Sequence, residues 1–200
     1  MNPLNYRATY APSAYDLKHN FVASYRYEIP FERLFGPRSR LATDWTLSGI
    51  TRLGTGFPVT FTNASDNSLL GTQPDGVNGY GADLPDLKPG PLDLNHNPRN
   101  GSPYFNTSLY SLQPLGQTGS AARRLFYGPG IENFDVSLAK SVSLGETKSL
   151  QFRLEAFNIF NHAQFFGPTS VNGEITSPAF GQVVGAAAPR LAQAAVKLSF

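Results

Sequence analysis

The 200-residue chain contains no cysteine, which excludes a disulfide framework, a cysteine-ligated zinc site and a thiol nucleophile. It also contains no run of about 18 apolar residues, the length that a transmembrane helix needs. The first residues, MNPLNYRATYAPSAYD, lack the basic start and apolar stretch of a secretory signal peptide. If the protein is exported, we expect its signal to lie outside this chain.

Charge is also scarce. Only 15% of the residues are charged, against about 25% in typical soluble domains, and the formal net charge is +2. The sequence has no run of lysine and arginine. It therefore predicts no nucleic-acid partner.

Motifs for catalysis and cofactor binding are missing as well. His19, His96 and His162 lie far apart, whereas metal ligands usually show close local spacing, so surface or interface histidines are the simpler interpretation. There is no G-x-S-x-G motif, and the glycines of GTGFPVTFTNASDNSLLG lack the lysine of a phosphate-binding loop. We predict no catalytic residue, no metal ligand and no cofactor, and a chain that is not an enzyme.

The residues that are abundant indicate strands and loops. The chain has 15 Phe, 9 Tyr, 19 Gly and 16 Pro. Five segments alternate apolar and polar residues, which is the period-two pattern of a β-strand; in LQFRLEAF, which begins at Leu150, every second residue is apolar. The predicted strands lie near 19–29, 45–61, 134–144, 149–158 and 190–200.

The connections between these strands differ in length. GETK, at 145–148, is a tight turn, whereas 63–133 and 158–189 are long loops. In an antiparallel meander the long loops then share one end. Loops beyond about 15 residues are rare in soluble domains, but transmembrane β-barrels combine short periplasmic turns with long extracellular loops. We predict an all-β fold with about five antiparallel strands of a transmembrane barrel, incomplete because the smallest such barrels have about eight.

The two faces of these strands would meet different surroundings. Apolar side chains would face lipid, and charges would face the lumen, because a charge on the lipid side costs about 2–4 kcal/mol at the midplane. Lys140 falls on an apolar face, and we expect it to snorkel to the headgroups. Taken singly, each segment is also compatible with a strand of a soluble β-sandwich. The predicted lumen-facing charges, which would either hold a plug through ion pairs or line a substrate path, are Arg26, Arg52, Arg153 and Glu155.

Four segments resemble a known family: WTLSGITRLGTGFPVT, GPGIENFDVSLAKSVSL, LQFRLEAFNIFNHAQF and the closing VKLSF. They are similar to the C-terminal end of TonB-dependent outer-membrane receptors. The nearest type is Oar-like, with a carboxypeptidase-regulatory-like domain before the plug and barrel. The likeness covers most of the chain in the same order. The alanine-rich last strand departs from it, and we expect a weaker lipid face there.

The resemblance implies a plugged barrel in the bacterial outer membrane that imports a scarce nutrient or moves cargo, with residues 1–200 as its C-terminal part. The implied partners are outer-membrane lipid, the upstream barrel and plug region, the TonB complex and the barrel-assembly machinery. This machinery would recognise Val196, Leu198 and Phe200 on the last strand as an assembly signal. The alternative is that Phe200 only anchors the strand at the membrane interface.

Two loop segments, 95–105 and 122–130, mix amides, arginine and aromatic residues, as ligand-binding loops often do. The alternative is that their rings pack the loops onto the barrel rim. The alternative function for the chain is that of a soluble or surface β-domain that binds carbohydrate or mediates adhesion. The candidate ligand contacts are Arg99, Tyr104, Arg123, Arg124 and Tyr127.

Overall fold

A computed structural model describes residues 7, 10–35, 42–71, 83–95, 97–98 and 101–200. Strands dominate this part of the chain, and the all-β prediction is confirmed. A single helical turn, α1 (Glu32–Phe35), follows the first strand. The strands are β1 (Asn20–Ile29), β2 (Trp45–Gly54), β3 (Pro58–Thr60), β4 (Asp86–Leu87), β5 (Tyr110–Ser111), β6 (Arg124–Tyr127), β7 (Ile131–Ser143), β8 (Ser149–Phe157) and β9 (Leu191–Ser199).

The chain divides into two compact units, each with its own set of segments. The long stretches that the sequence predicted as loops fall mainly into one of them. The sheet unit comprises Asn20–Leu53, Glu132–Ala163 and Ala188–Phe200, and the loop unit comprises Met1–His19, Gly54–Ile131 and Gln164–Ala187.

The sheet unit is built on one sheet with the strand order β1-β2-β7-β8-β9. The antiparallel register pairs Leu138 with Leu154, and Leu154 with Ala194, on what we call the apolar face. Successive side chains in a strand alternate, so Ser141 and its partner Gln151 lie on the opposite, polar face. The sequence pattern therefore corresponds to two chemically different faces of one sheet.

The sheet does not close within the described part of the chain. Its outer strands there are β1 and β9, which form two edges. The prediction of an incomplete barrel is confirmed. Unpaired backbone groups at such edges are available to pair with further strands.

The second predicted strand, 45–61, is divided in the structure. β2 ends at Gly54, and β3 pairs with β6 in a separate two-stranded sheet. Between them the backbone comes very close to another segment, because a Cβ at Gly56 would collide with the carbonyl oxygen of Gly128. Only glycine permits this approach. Alternation in the sequence continues across the break and does not reveal it.

The loop unit has an aromatic core of its own. Phe61, which is fully buried, stacks on Tyr110 of β5 with ring centres 4.5 Å apart. Its ring centre is also 5.4 Å from that of Phe105 and 5.7 Å from that of Phe126. Such aromatic pairs contribute about 0.5–1.5 kcal/mol each beyond the area they bury. Much of the two long predicted loops is therefore packed rather than structureless.

A buried polar network links three segments of the loop unit. The Asp83 carboxylate accepts hydrogen bonds from Ser68 N and Ser68 Oγ, both at 2.7 Å, and from Gln113 Nε2 at 3.0 Å. Gln113 Oε1 in turn accepts from Asn63 Nδ2 at 3.0 Å. Burying a charge is costly unless it is hydrogen-bonded, so these contacts make the burial of Asp83 tolerable.

Lys140 corrects one prediction. It pairs with Phe152 on the apolar face, as the sequence pattern indicated. Its side chain is buried, however, and Nζ donates to the backbone carbonyl of Thr43. The ammonium therefore finds its partner inside the sheet unit instead of snorkelling outward.

Candidate functional site

Charged side chains on the polar face of β8 bond to their neighbours. Arg153 Nη1 lies 3.7 Å from Glu155 Oε1, and Arg153 Nη2 donates to Gln151 Oε1 at 2.9 Å. Glu155 also accepts a hydrogen bond from Gln193 of β9. The result is an internally bonded row that crosses from one strand to the next.

The predicted lumen arginines of the first two strands have similar local partners. Arg26 Nη2 is 3.7 Å from Glu28 Oε1, and both side chains are more than two-thirds exposed, so this pair contributes little to stability. Arg52 Nε donates to Asn20 Oδ1 at 3.2 Å. Alternation puts Asn20, Arg26 and Glu28 on one face of β1. Their position in a barrel lumen stays a prediction.

The FNIFNH motif forms a compact cap at the end of β8. Asn158 and Asn161 have φ angles of 49° and 53°, in the left-handed region that asparagine tolerates better than most residues. Asn158 Nδ2 donates to the carbonyl of His162 at 2.8 Å, and Asn158 Oδ1 accepts from His162 N at 2.9 Å. Asp135 Oδ1 accepts from Asn158 N at 2.9 Å, and Asn161 Oδ1 accepts from Arg190 N at 3.1 Å. The cap therefore connects β7, β8 and the start of β9.

Aromatic rings surround this cap. Phe160 meets Phe134 edge-on at 5.1 Å between ring centres and stacks on His162 at 5.9 Å. The Phe160 side chain is nevertheless 62% exposed. Exposed aromatic rings at strand ends are typical of membrane–water interfaces.

The structure brings four of the five candidate ligand contacts together, and Arg99 lies outside the described residues. Tyr104 and Arg123 are buried. Tyr104 Oη donates to the carbonyl of Tyr127 at 3.2 Å, and burial raises the pKa of Tyr104. The Arg123 carbonyl accepts from Phe61 N at 2.9 Å. These two residues belong to the packed interior of the loop unit.

Arg124 and Tyr127 hold the segment that precedes β1. Arg124 Nη1 donates to the carbonyl of Pro12 at 3.0 Å. Tyr127 Oη donates to Asp16 Oδ2 at 2.5 Å, and this hydrogen bond raises the pKa of Tyr127. Lys18 Nζ lies 4.3 Å from the centre of the same ring. These contacts favour the packing interpretation, and a role in ligand binding stays a prediction.

The residues of the suspected assembly signal lie on or just after β9. Val196 and Leu198 are on the apolar face, where they pair with Phe152 and Leu150. Phe200 follows the end of the strand and is 92% exposed. β9 is an edge strand in the described part of the chain, so it offers backbone groups to an added strand. Recognition by the assembly machinery stays a prediction.

Sequence reasoning missed Asp16 and Lys18 as partners of Tyr127, and it missed the network around Asp83. The signal was absent because the partners are distant in sequence. Asp16 precedes Tyr127 by 111 residues, and Asn63 precedes Gln113 by 50.

Within the described ranges, no helix is long and apolar enough to cross a membrane. The same ranges contain no group of three or more His, Asp or Glu residues placed to hold a metal ion.

Comparison with known proteins identifies a family. Neither a curated protein nor a solved structure matches the chain. A family described as the outer membrane beta barrel domain matches residues 1–193, which is nearly the whole sequence. The unclosed sheet, with one apolar and one polar face, agrees with that match. The chain therefore belongs to the outer membrane beta barrel domain family and is a protein of the bacterial outer membrane.

Proposed function

We propose that the chain supplies the C-terminal strands of a TonB-dependent transporter that imports a scarce nutrient or moves cargo across the outer membrane. Family membership supports the membrane setting. The Oar-like type is supported by the resemblance of the FNIFNH block, whose two asparagines form the cap at the end of β8. The proposed role is transport rather than catalysis.

The observation that carries the proposal is the pair of sheet edges, β1 and β9, in the described part of the chain. Hydrocarbon offers no hydrogen bonds, so each unpaired backbone group in lipid costs several kcal/mol. A five-stranded sheet with two edges is therefore unable to span a membrane by itself. We infer that further strands, from the upstream barrel region of a longer receptor, complete it.

In this proposal the polar face lines the lumen and meets a plug. The row of Arg153, Glu155 and Gln193 would present hydrogen-bonding groups to that plug. The TonB complex would act through the plug, and the barrel-assembly machinery through β9. Lipid would cover the apolar face.

The test uses the full-length protein in intact cells, with a photoreactive residue placed in TonB. We expect a covalent product between TonB and the receptor, together with a barrel that shows heat-modifiable gel mobility. A receptor without its TonB-contacting segment is the matched control and should give no product. A heat-modifiable barrel with no product in either case would reject the TonB-dependent type and leave the barrel family intact.

A second candidate is a surface role in carbohydrate binding or adhesion, which the loop unit favours. Its aromatic core fixes the loops, and Tyr10 and Tyr15 are 91% and 60% exposed. Exposed tyrosines give a large contact area at a low entropic cost, because binding fixes only two side-chain torsions. Binding of whole cells to a glycan array, compared between the parent and Tyr15→Ala, tests this. Equal binding patterns for the two would reject Tyr15 as a contact.

A further inference from the structure

A groove opens on the apolar face of the sheet unit and crosses β7, β8 and β9. Its volume is about 490 Å³, and its lining includes Val136, Leu138, Leu154, Ala156 and Ala194. We call it the alanine groove. Its apolar lining comes from the apolar face, whereas Arg153 points to the opposite face, because side chains alternate along each strand.

Side-chain size explains why the groove lies where it does. The register aligns Ala156 with Ala192, and the next row of the face ends in Ala194 on β9. One row further on, Phe152 pairs with Val196, and larger side chains fill the surface again. The depression is thus bounded by bulky residues on the side away from the β8 cap.

The polar residues that border the groove satisfy each other. Glu155 and Gln193 contribute to the lining, and Gln193 Nε2 donates to the Glu155 carboxylate. Ile159, from the FNIFNH motif, also borders the groove. The groove therefore extends to the cap. Because Glu155 and Gln193 bond to each other, an apolar molecule in the groove would leave neither of them without a partner.

A cationic residue lies next to the cap end of the groove in the chain. Arg190, which is exposed, precedes β9 by one residue and Ala192 of the groove lining by two. Its backbone is fixed by the hydrogen bond from Arg190 N to Asn161 Oδ1. From Arg190 to Ala194 the chain advances roughly 13 Å, at about 3.3 Å per residue. An exposed arginine at the end of an apolar channel matches an amphiphile with an anionic headgroup.

We propose that the alanine groove binds one acyl chain of lipid A, the phosphorylated glycolipid of the outer leaflet, with Arg190 on a phosphate. The family places the apolar face in the outer membrane. The cap lies at the end of the sheet where the long connection from β8 to β9 leaves, and long connections of outer-membrane barrels are extracellular. The occupant is therefore an outer-leaflet lipid. The inference goes beyond the proposed function and does not depend on TonB.

Two pairs of variants of the full-length protein test the site. Ala194→Leu fills the groove, while Ala195→Leu adds the same volume to the opposite face of the same strand. Arg190→Gln removes the cation, while Lys197→Gln removes a charge from that opposite face. Each protein is extracted in mild detergent, and native mass spectrometry counts the lipid A, phospholipid and protein copies in each particle.

We expect the parent, Ala195→Leu and Lys197→Gln to retain lipid A. Ala194→Leu and Arg190→Gln should each bind lipid A about tenfold more weakly. A tenfold loss corresponds to one charge-assisted hydrogen bond, or to a similar loss of packing. Unchanged lipid A in Ala194→Leu and Arg190→Gln would overturn the site. Retention of phospholipid in place of lipid A, or of a second protein copy on this face, would overturn the choice of occupant. Heat-modifiable mobility of all variants verifies that each barrel has assembled.

Discussion

Replacing Asn158 by alanine should lower the unfolding free energy of the barrel by about 3 kcal/mol. The side chain is buried and makes two hydrogen bonds with the backbone of His162, at 2.8 and 2.9 Å. Each is worth about 1 kcal/mol net. Alanine must also adopt the φ of 49° without the local amide contact that favours it, which costs about 1 kcal/mol more.

Asn158→Gly separates these contributions. Glycine adopts a positive φ without strain, so this variant should lose only the two hydrogen bonds, about 2 kcal/mol. Asn161→Ala is the matched comparison, because the Asn161 side chain is exposed and accepts a single hydrogen bond, from Arg190 N. It should lower the free energy of unfolding by less than Asn158→Ala does. Urea unfolding of the full-length protein in lipid vesicles, followed by gel mobility, measures all three. A glycine variant less stable than the alanine variant, or no loss in either, would refute the cap as described.

Three further predictions concern the loop unit, the topology and the last strand. Tyr110 Oη is buried with no hydrogen-bond partner among the described residues, so Tyr110→Phe should leave thermal stability unchanged or raise it by about 1 kcal/mol, whereas Tyr104→Phe should lower it by about 1 kcal/mol. Burial raises the pKa of Tyr110 from 10.0 to about 12, so between these pH values the folded state binds more protons than the unfolded state. The free energy of unfolding therefore falls as the pH rises through this window, and Tyr110→Phe should make that fall smaller. On intact cells an impermeant thiol reagent should label cysteine at Asn97 but not at Glu146, and the reverse pattern would invert the topology. Deletion of Phe200 should sharply reduce the amount of assembled barrel while the assembled fraction keeps normal heat-modifiable mobility; normal yield would remove its recognition role.

The sequence predicted the sheet because the information was local. In β8, Phe152 and Leu154 alternate with Arg153 and Glu155, and the register keeps that separation across β7 and β9. A period of two corresponds directly to two faces, so neither tertiary contacts nor a partner strand had to be known. Strand ends were less accurate: β2 stops at Gly54, and another backbone segment packs closely against Gly56 just beyond it.

The loop unit and the candidate site were not predictable in the same way. Phe105 and Tyr110 come from segments without periodicity, and they meet Phe61, at the end of the predicted strand 45–61, only after the chain has folded. Arg124 was selected for its composition, as a cation beside aromatic residues. Its partner at Pro12 is 112 residues away, and the contact gives it a structural use that its local sequence does not indicate.

The alanine-rich last strand, which departs from the receptors that the chain resembles, loses little free energy in lipid. Ala192 and Ala194 replace the Leu or Val expected on that face, and each such residue contributes about 0.5 kcal/mol to membrane partitioning. Two positions therefore give up roughly 1 kcal/mol, since hydrocarbon fills the space that a missing side chain leaves. Val196 and Leu198 keep the apolar character of the rest of the strand, so the smaller residues are confined to the region beside the cap. A single lipid contact in the alanine groove offsets this small, local loss of partitioning free energy. The alanines are therefore compatible with a stable lipid-facing surface on β9.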